Sequence, residues 1–125
     1  MIYLDTHVVA WLYAGQLANL PPAVHKTLDS NELLVSPMVV LELQYLHEIG
    51  RLSEPAESVM AALGTEIGLR VCDLPFPLVA GAALSESWTR DPFDRIIVSQ
   101  AKLSDRQLIS KDRHIHEHYP KAVWE

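Results

Sequence analysis

The chain has 125 residues, 49% apolar and 21% charged, a globular balance that excludes a disordered or fibrous protein. A formal charge of −6 argues against a protein that holds nucleic acid by bulk positive charge. The lone Cys72 cannot form an internal disulfide, no export signal is visible, and the longest apolar run, Leu33 to Leu41, is broken by Ser36-Pro37, so a cytoplasmic protein without a membrane partner is expected.

At this length one domain is expected over residues 1–125. Ile2-Tyr3-Leu4 reads as a strand ending at Asp5, and Thr6 to Tyr13 as a short apolar helix. Gly15 to Leu20 reads as a loop, and Pro21-Pro22 opens a helix through about Ser30. Leu33-Leu34-Val35 is a buried strand. Ser36-Pro37 then starts a helix running to Gly50, with Val39, Leu43 and Leu46 as its apolar stripe and Glu42 on or beside it. Glu54-Pro55 begins a helix over Ala56 to about Leu63, and Gly64 to Gly68 returns the chain to a strand at Leu69 to Cys72. Pro77 to about Ser87 is rich in alanine and leucine and reads as helix. Asp91-Pro92 supplies N-cap and first position of the next helix, in which Asp94 shares a face with Ile97, Val98 and Ala101. A strand at Leu108 to Ser110, a short helix to about His118 and a strand at Ala122 to Trp124 complete the chain. Short apolar strands alternating with helices imply a three-layer α/β/α sandwich with a mostly parallel central sheet.

In such sheets ligands gather beyond the carboxyl ends of the strands. Asp5 and Asp112 follow the first and fourth strands, while Glu42, Asp91 and Asp94 are read into the first turns of helices facing the same edge. Crowded carboxylates repel one another unless a cation is present, and an all-oxygen set suits Mg²⁺ or Mn²⁺ rather than Zn²⁺. Two such ions about 3.5–4 Å apart could activate water against a phosphodiester. Each acid also has a structural reading. Asp91 and Asp112 could be helix caps, Asp94 a favourable charge on the helix dipole, and Glu42 the ion-pair partner of a base such as Arg95. Asp5 is harder to explain away, since Thr6 could cap the first helix itself.

Four segments resemble motifs of the PIN-domain family, and more closely its VapC-type toxins. They are Asp5-Thr6-His7-Val8-Val9-Ala10-Trp11, Ser36 through Glu42-Leu43, Arg90-Asp91-Pro92-Phe93-Asp94-Arg95 and Ser110-Lys111-Asp112. The resemblance runs the full length. It implies a single PIN-like nuclease domain in which Asp5, Glu42, Asp94 and Asp112 are the catalytic, metal-binding acids. Asp91, Ser110 and Thr6 are then accessory, Ser110 helping to place the fourth acid. The implied activity is a Mg²⁺- or Mn²⁺-dependent endoribonuclease, its partners an RNA substrate, a cognate antitoxin protein and a second copy in a homodimer. Arg90, Arg95, Lys111 and Arg113 are candidate phosphate contacts.

Two other classes compete. A Mg²⁺-binding phospho-receiver domain would use Asp73 as acceptor, but needs paired acids after the first strand, where only Asp5 stands. A PIN-like scaffold that binds RNA or protein without catalysis has no need to keep every acid. His114, His116 and His118 suggest a metal, although no further zinc ligand set is evident. His7 reads equally as a substrate contact or as packing beneath the site, and Trp11, Trp88 and Trp124 as core or dimer-interface residues rather than base-stacking platforms.

Overall fold

The computed structural model describes residues 1–125. Five parallel strands lie in the order β3-β2-β1-β4-β5: β1 Ile2–Leu4, β2 Leu33–Val35, β3 Arg70–Val71, β4 Leu108–Ile109 and β5 Ala122–Val123. Seven helices flank them: α1 Thr6–Ala14, α2 Pro22–Asp29, α3 Pro37–Glu48, α4 Ala56–Ile67, α5 Phe76–Ala83, α6 Pro92–Leu103 and α7 Arg113–His118. Every residue of β1, β2 and β4 is buried, which is why their sequences are unbroken apolar runs rather than alternating ones. The edge strands β3 and β5 are exposed or half-buried.

The core gathers the three central strands with Val8 and Val9 of α1, Val39 and Leu43 of α3, Val59 and Leu63 of α4, and Ile97, Val98 and Ala101 of α6. These side chains recur at helical spacing, so each helix buries one stripe against the sheet or a neighbouring helix. A buried Tyr3 hydroxyl donates to Cys72 Sγ at 3.0 Å and shares a 2.7 Å hydrogen bond with Ser104 Oγ. Burial pushes its pKa up to about 12.

Several boundaries differ from the sequence reading. The segment Gly15 to Leu20 is not wholly irregular, since Leu17–Asn19 forms a 3-10 turn. α4 passes through Gly64 and continues to Ile67, ending where Gly68 takes a left-handed φ of 71°. Gly64 stays helical, where a Cβ would meet the Leu69 carbonyl oxygen at an ordinary 3.4 Å contact, and Gly68 is the stop. The helix expected to reach Ser87 ends at Ala83. Glu86 is then free to turn inward, where it is 4% exposed and paired with Lys102.

Candidate active site

β1 and β4 are neighbours in space and flank the point where strand order reverses: from β1 the chain builds outward to β2 and β3, then returns to lay β4 and β5 on the other side. The cleft of a parallel sheet opens at such a point. Tyr3 pairs with Leu108 and Leu4 with Ile109, and the Asp5 N–H donates to the Ile109 carbonyl at 3.0 Å. This register brings Ser110 alongside Asp5. Ser110 Oγ donates to Asp5 Oδ2 at 2.6 Å and accepts the Asp112 N–H at 3.0 Å. One hydroxyl thus joins the first acid's side chain to the fourth acid's backbone.

Asp5 is itself the N-cap of α1, its Oδ1 accepting the Thr6 N–H at 2.8 Å. The expectation that Thr6 would do the capping is therefore corrected. The Thr6 hydroxyl instead donates to Glu42 Oε1, which fixes that carboxylate across the gap between α1 and α3. Glu42 lies in the second turn of α3 rather than the first, on a helix whose own cap is Ser36 Oγ, 3.1 Å from the Met38 nitrogen. Asp91 caps α6 through the Phe93 and Asp94 N–H groups at 2.8 and 3.4 Å. Asp112 caps α7 through those of His114 and Ile115 at 2.8 and 3.3 Å. Capping and site membership are thus not alternatives. A cap leaves carboxylate lone pairs free to face the cleft.

All five acids line one cleft of about 440 Å³, together with His7, Val8, Trp11 and Lys111. The ion pairs of the chain are Arg70 with Glu32, Lys102 with Glu86 and Lys121 with Asp105, so none reaches these acids. The structural reading of Glu42 as a partner of Arg95 fails: Arg95 Nε donates to the Thr89 carbonyl at 2.9 Å. Lys111 Nζ sits 5.9 Å from the Trp11 ring centroid.

The electrostatic consequence appears in the protonation equilibria. Burial raises the Asp5 carboxyl above its usual range, opposed by the hydrogen bonds from Ser110 and the Thr6 backbone. Burial also raises Glu42, opposed by the Thr6 hydroxyl and reinforced by Asp5 and Asp91. Asp94 is pushed up to about 7, first by burial and then by Asp91, Asp5, Asp112 and Glu42. No cation compensates it, and its four acidic neighbours all act in one direction. An all-oxygen donor set with mutual repulsion and no ion-paired base fits a hard divalent cation by its chemistry.

The other sequence candidates fall at varied distances from this cleft. Lys111 also lines a second cavity of about 430 Å³, shared with Arg113, His116 and Trp124. Arg90 donates to the Ser87 carbonyl at 3.0 Å and, like Arg95, is not among the cleft-lining residues. Asp73 lies on a separate cavity with Tyr3, Cys72 and Ser104, which removes the receiver reading. The three histidines divide: His116 Nε2 lies 2.6 Å from the Ser110 carbonyl oxygen, whereas His114 and His118 pack against Trp88. Trp11, read from sequence as a core or interface residue, lines the cleft, and its ring stands 6.0 Å from that of Trp124.

The PIN domain family model matches residues 2–121. Ribonuclease VapC22 of Mycobacterium tuberculosis is 30% identical over 129 residues, an alignment spanning 98% of each chain. Among solved structures, VapBC2 of Rickettsia felis bound to a DNA fragment from its promoter is similar with a TM-score of 0.67 at 18% identity, covering 100% of this chain and 98% of that one. A toxin–antitoxin complex of Klebsiella pneumoniae follows with a TM-score of 0.63 at 17% identity, covering 98% and 96%. FitAcB of Neisseria gonorrhoeae gives 0.57 at 21% identity, covering 100% and 97%. A parallel five-stranded sheet with an acidic cleft at its switch point, matched by the family model over nearly its whole length, establishes that this chain belongs to the PIN domain family, in its VapC-type branch.

Proposed function

We propose that the chain is an endoribonuclease of the VapC toxin kind, hydrolysing RNA phosphodiester bonds with Mg²⁺ or Mn²⁺ and restrained by a cognate antitoxin. The observation that carries this reading is the convergence of five acids from four segments of the chain on one cleft, none of them held in an ion pair. The similarity to a protein named a ribonuclease, and to two toxin–antitoxin assemblies, supports the substrate and partner assignments.

In this account Asp5, Glu42, Asp94 and Asp112 hold the ion. Bound there, it would supply positive charge that neutralises the carboxylates, polarises the phosphodiester and lowers the pKa of attacking water. Ser110 and Thr6 position Asp5 and Glu42 through the hydrogen bonds described. Asp91, held by its capping bonds, is an accessory acid at the rim. Lys111 faces the cleft and is the basic residue best placed to meet a phosphate; Arg113 continues the positive lining into the adjoining cavity. Arg90 and Arg95 would need to leave their backbone carbonyls to take part. Leu41 and Tyr45 of α3 and Ile49 at its C-cap are 48–55% exposed at four-residue intervals, an apolar stripe that suits the expected homodimer or antitoxin contact.

The test is incubation of a mixed single-stranded RNA pool with purified protein and Mg²⁺, Mn²⁺ or chelator, with Asp5→Asn run in parallel. Metal-dependent cutting by the wild type alone is expected. Cutting that persists in chelator, or is equal in the variant, contradicts the proposal.

A further inference from the structure

We infer that α7 carries a second divalent-metal site, built on imidazole rather than carboxylate and suited to Zn²⁺ and its softer neighbours. His114, Glu117 and His118 occupy positions i, i+3 and i+4 of the helix and so share one face. One ligand atom from each lies within 4.8 Å of the others, and all three side chains are exposed. A tetrahedral ion with bonds of about 2.0–2.1 Å needs its ligand atoms about 3.3 Å apart. Rotation of exposed side chains closes that gap without moving the backbone.

The independent observation is the platform behind the pair. Trp88 stacks on the His118 ring at 4.9 Å and 9°, and meets the His114 ring edge-on at 5.3 Å and 79°. The two imidazoles are 5.4 Å apart. Trp88 is held in turn, its Nε1 donating to Glu86 Oε2 at 2.6 Å. Glu86 is 4% exposed, and Lys102 Nζ holds its other oxygen at 2.6 Å. Trp88 thus limits the orientations open to both imidazoles before any ion arrives, which reduces the freedom lost on binding. Two nitrogens and one carboxylate oxygen, with water completing the shell, suit Zn²⁺, Ni²⁺, Co²⁺ or Cu²⁺ and not Mg²⁺.

The site also joins two parts of the cleft rim. α7 begins at Asp112, and Trp88 precedes Asp91 by three residues, so the Trp88–His118 stack behind the ion ties together the segments that present those two acids. The site does not depend on the nuclease reading.

Tag-free protein in excess Mg²⁺, added to fill the carboxylate cleft, is titrated with Zn²⁺ by calorimetry and with Ni²⁺ by tryptophan fluorescence. One equivalent of Zn²⁺ is expected to bind, with affinity lower in His114→Ala or His118→Ala by at least the roughly 10-fold that loss of an outer-shell partner costs, and unchanged in Asp94→Asn. Ni²⁺ is expected to quench fluorescence in the wild type. Trp88→Phe keeps binding but loses most of that quench. The histidine substitutions lie on exposed positions, and circular dichroism of each variant, with His118→Gln as a second replacement, separates lost ligation from lost fold. Absence of Zn²⁺ binding, or equal binding by the wild type and a folded His114→Ala/His118→Ala variant, overturns the inference.

Discussion

Asp94 bears the sharpest conflict in the cleft, because burial and four neighbouring acids all favour its protonated form. Its folded pKa of about 7 stands above the ordinary 3.8, so the folded chain binds this proton more tightly than the unfolded chain does. The group is neutral in its effect below about 3.8; its destabilisation grows as pH rises toward 7 and is complete above that. Asp94→Asn is therefore expected to flatten the fall in metal-free melting temperature across this window and to raise it at pH 8, while activity drops about a hundredfold or more, the scale of losing a group that stabilises the transition state. A variant that melts below the wild type at pH 8 would recast Asp94 as structural. Ser110→Ala removes a fully buried donor to the Asp5 carboxylate and an acceptor for the Asp112 N–H. Thermal or urea unfolding should show a loss of about 1.5–3 kcal/mol, the range for a hydrogen bond to a charged group.

At the scale of elements, the helix starts do double duty. Asp5, Asp91 and Asp112 each close an N-terminus and each face the cleft. Asparagine caps about as well as aspartate, so Asp91→Asn separates the two roles. Stability by urea unfolding should change by less than about 0.5 kcal/mol, whereas Asp91→Ala costs about 1 kcal/mol. Weaker divalent-ion binding by the folded Asp91→Asn protein would be the signature of its charge. Gly68→Ala should cost about 1 kcal/mol by the same measurement, since φ is 71° at the α4 stop.

These starts were legible in the sequence because Ser36-Pro37 and Asp91-Pro92 combine a side-chain cap with a residue that fits the first helical position. Helix ends were less so. Gly64 looks like a stop, yet it is the left-handed Gly68 that ends α4, and Glu86 looks like a helical surface acid until Lys102 and Trp88 are seen around it. The acids of the cleft were legible as a set because topology, not contact, brings strand ends together. The bond from Thr6 to Glu42, 36 residues away, and the entry of Trp11 and Lys111 into the cleft depend on side-chain direction, which local pattern does not contain.

For the whole molecule, the central tension is a negatively charged chain that concentrates further negative charge at the switch point of its sheet. Cation binding relieves it, and linkage requires that an ion bound only by the folded chain raise its melting temperature with ion concentration. The most direct test is calorimetric titration of wild type and Asp94→Asn with Mn²⁺ at several pH values. Because Asp94 must lose its proton to bind an ion, wild-type affinity should climb from about pH 6 to 8 and then level, with proton release on binding near pH 7. Asp94→Asn should bind more weakly and with a shallower pH dependence. Equal affinity in the two proteins, or no Mn²⁺ binding by the wild type at any pH, would contradict the account of this cleft as a metal-dependent nuclease site.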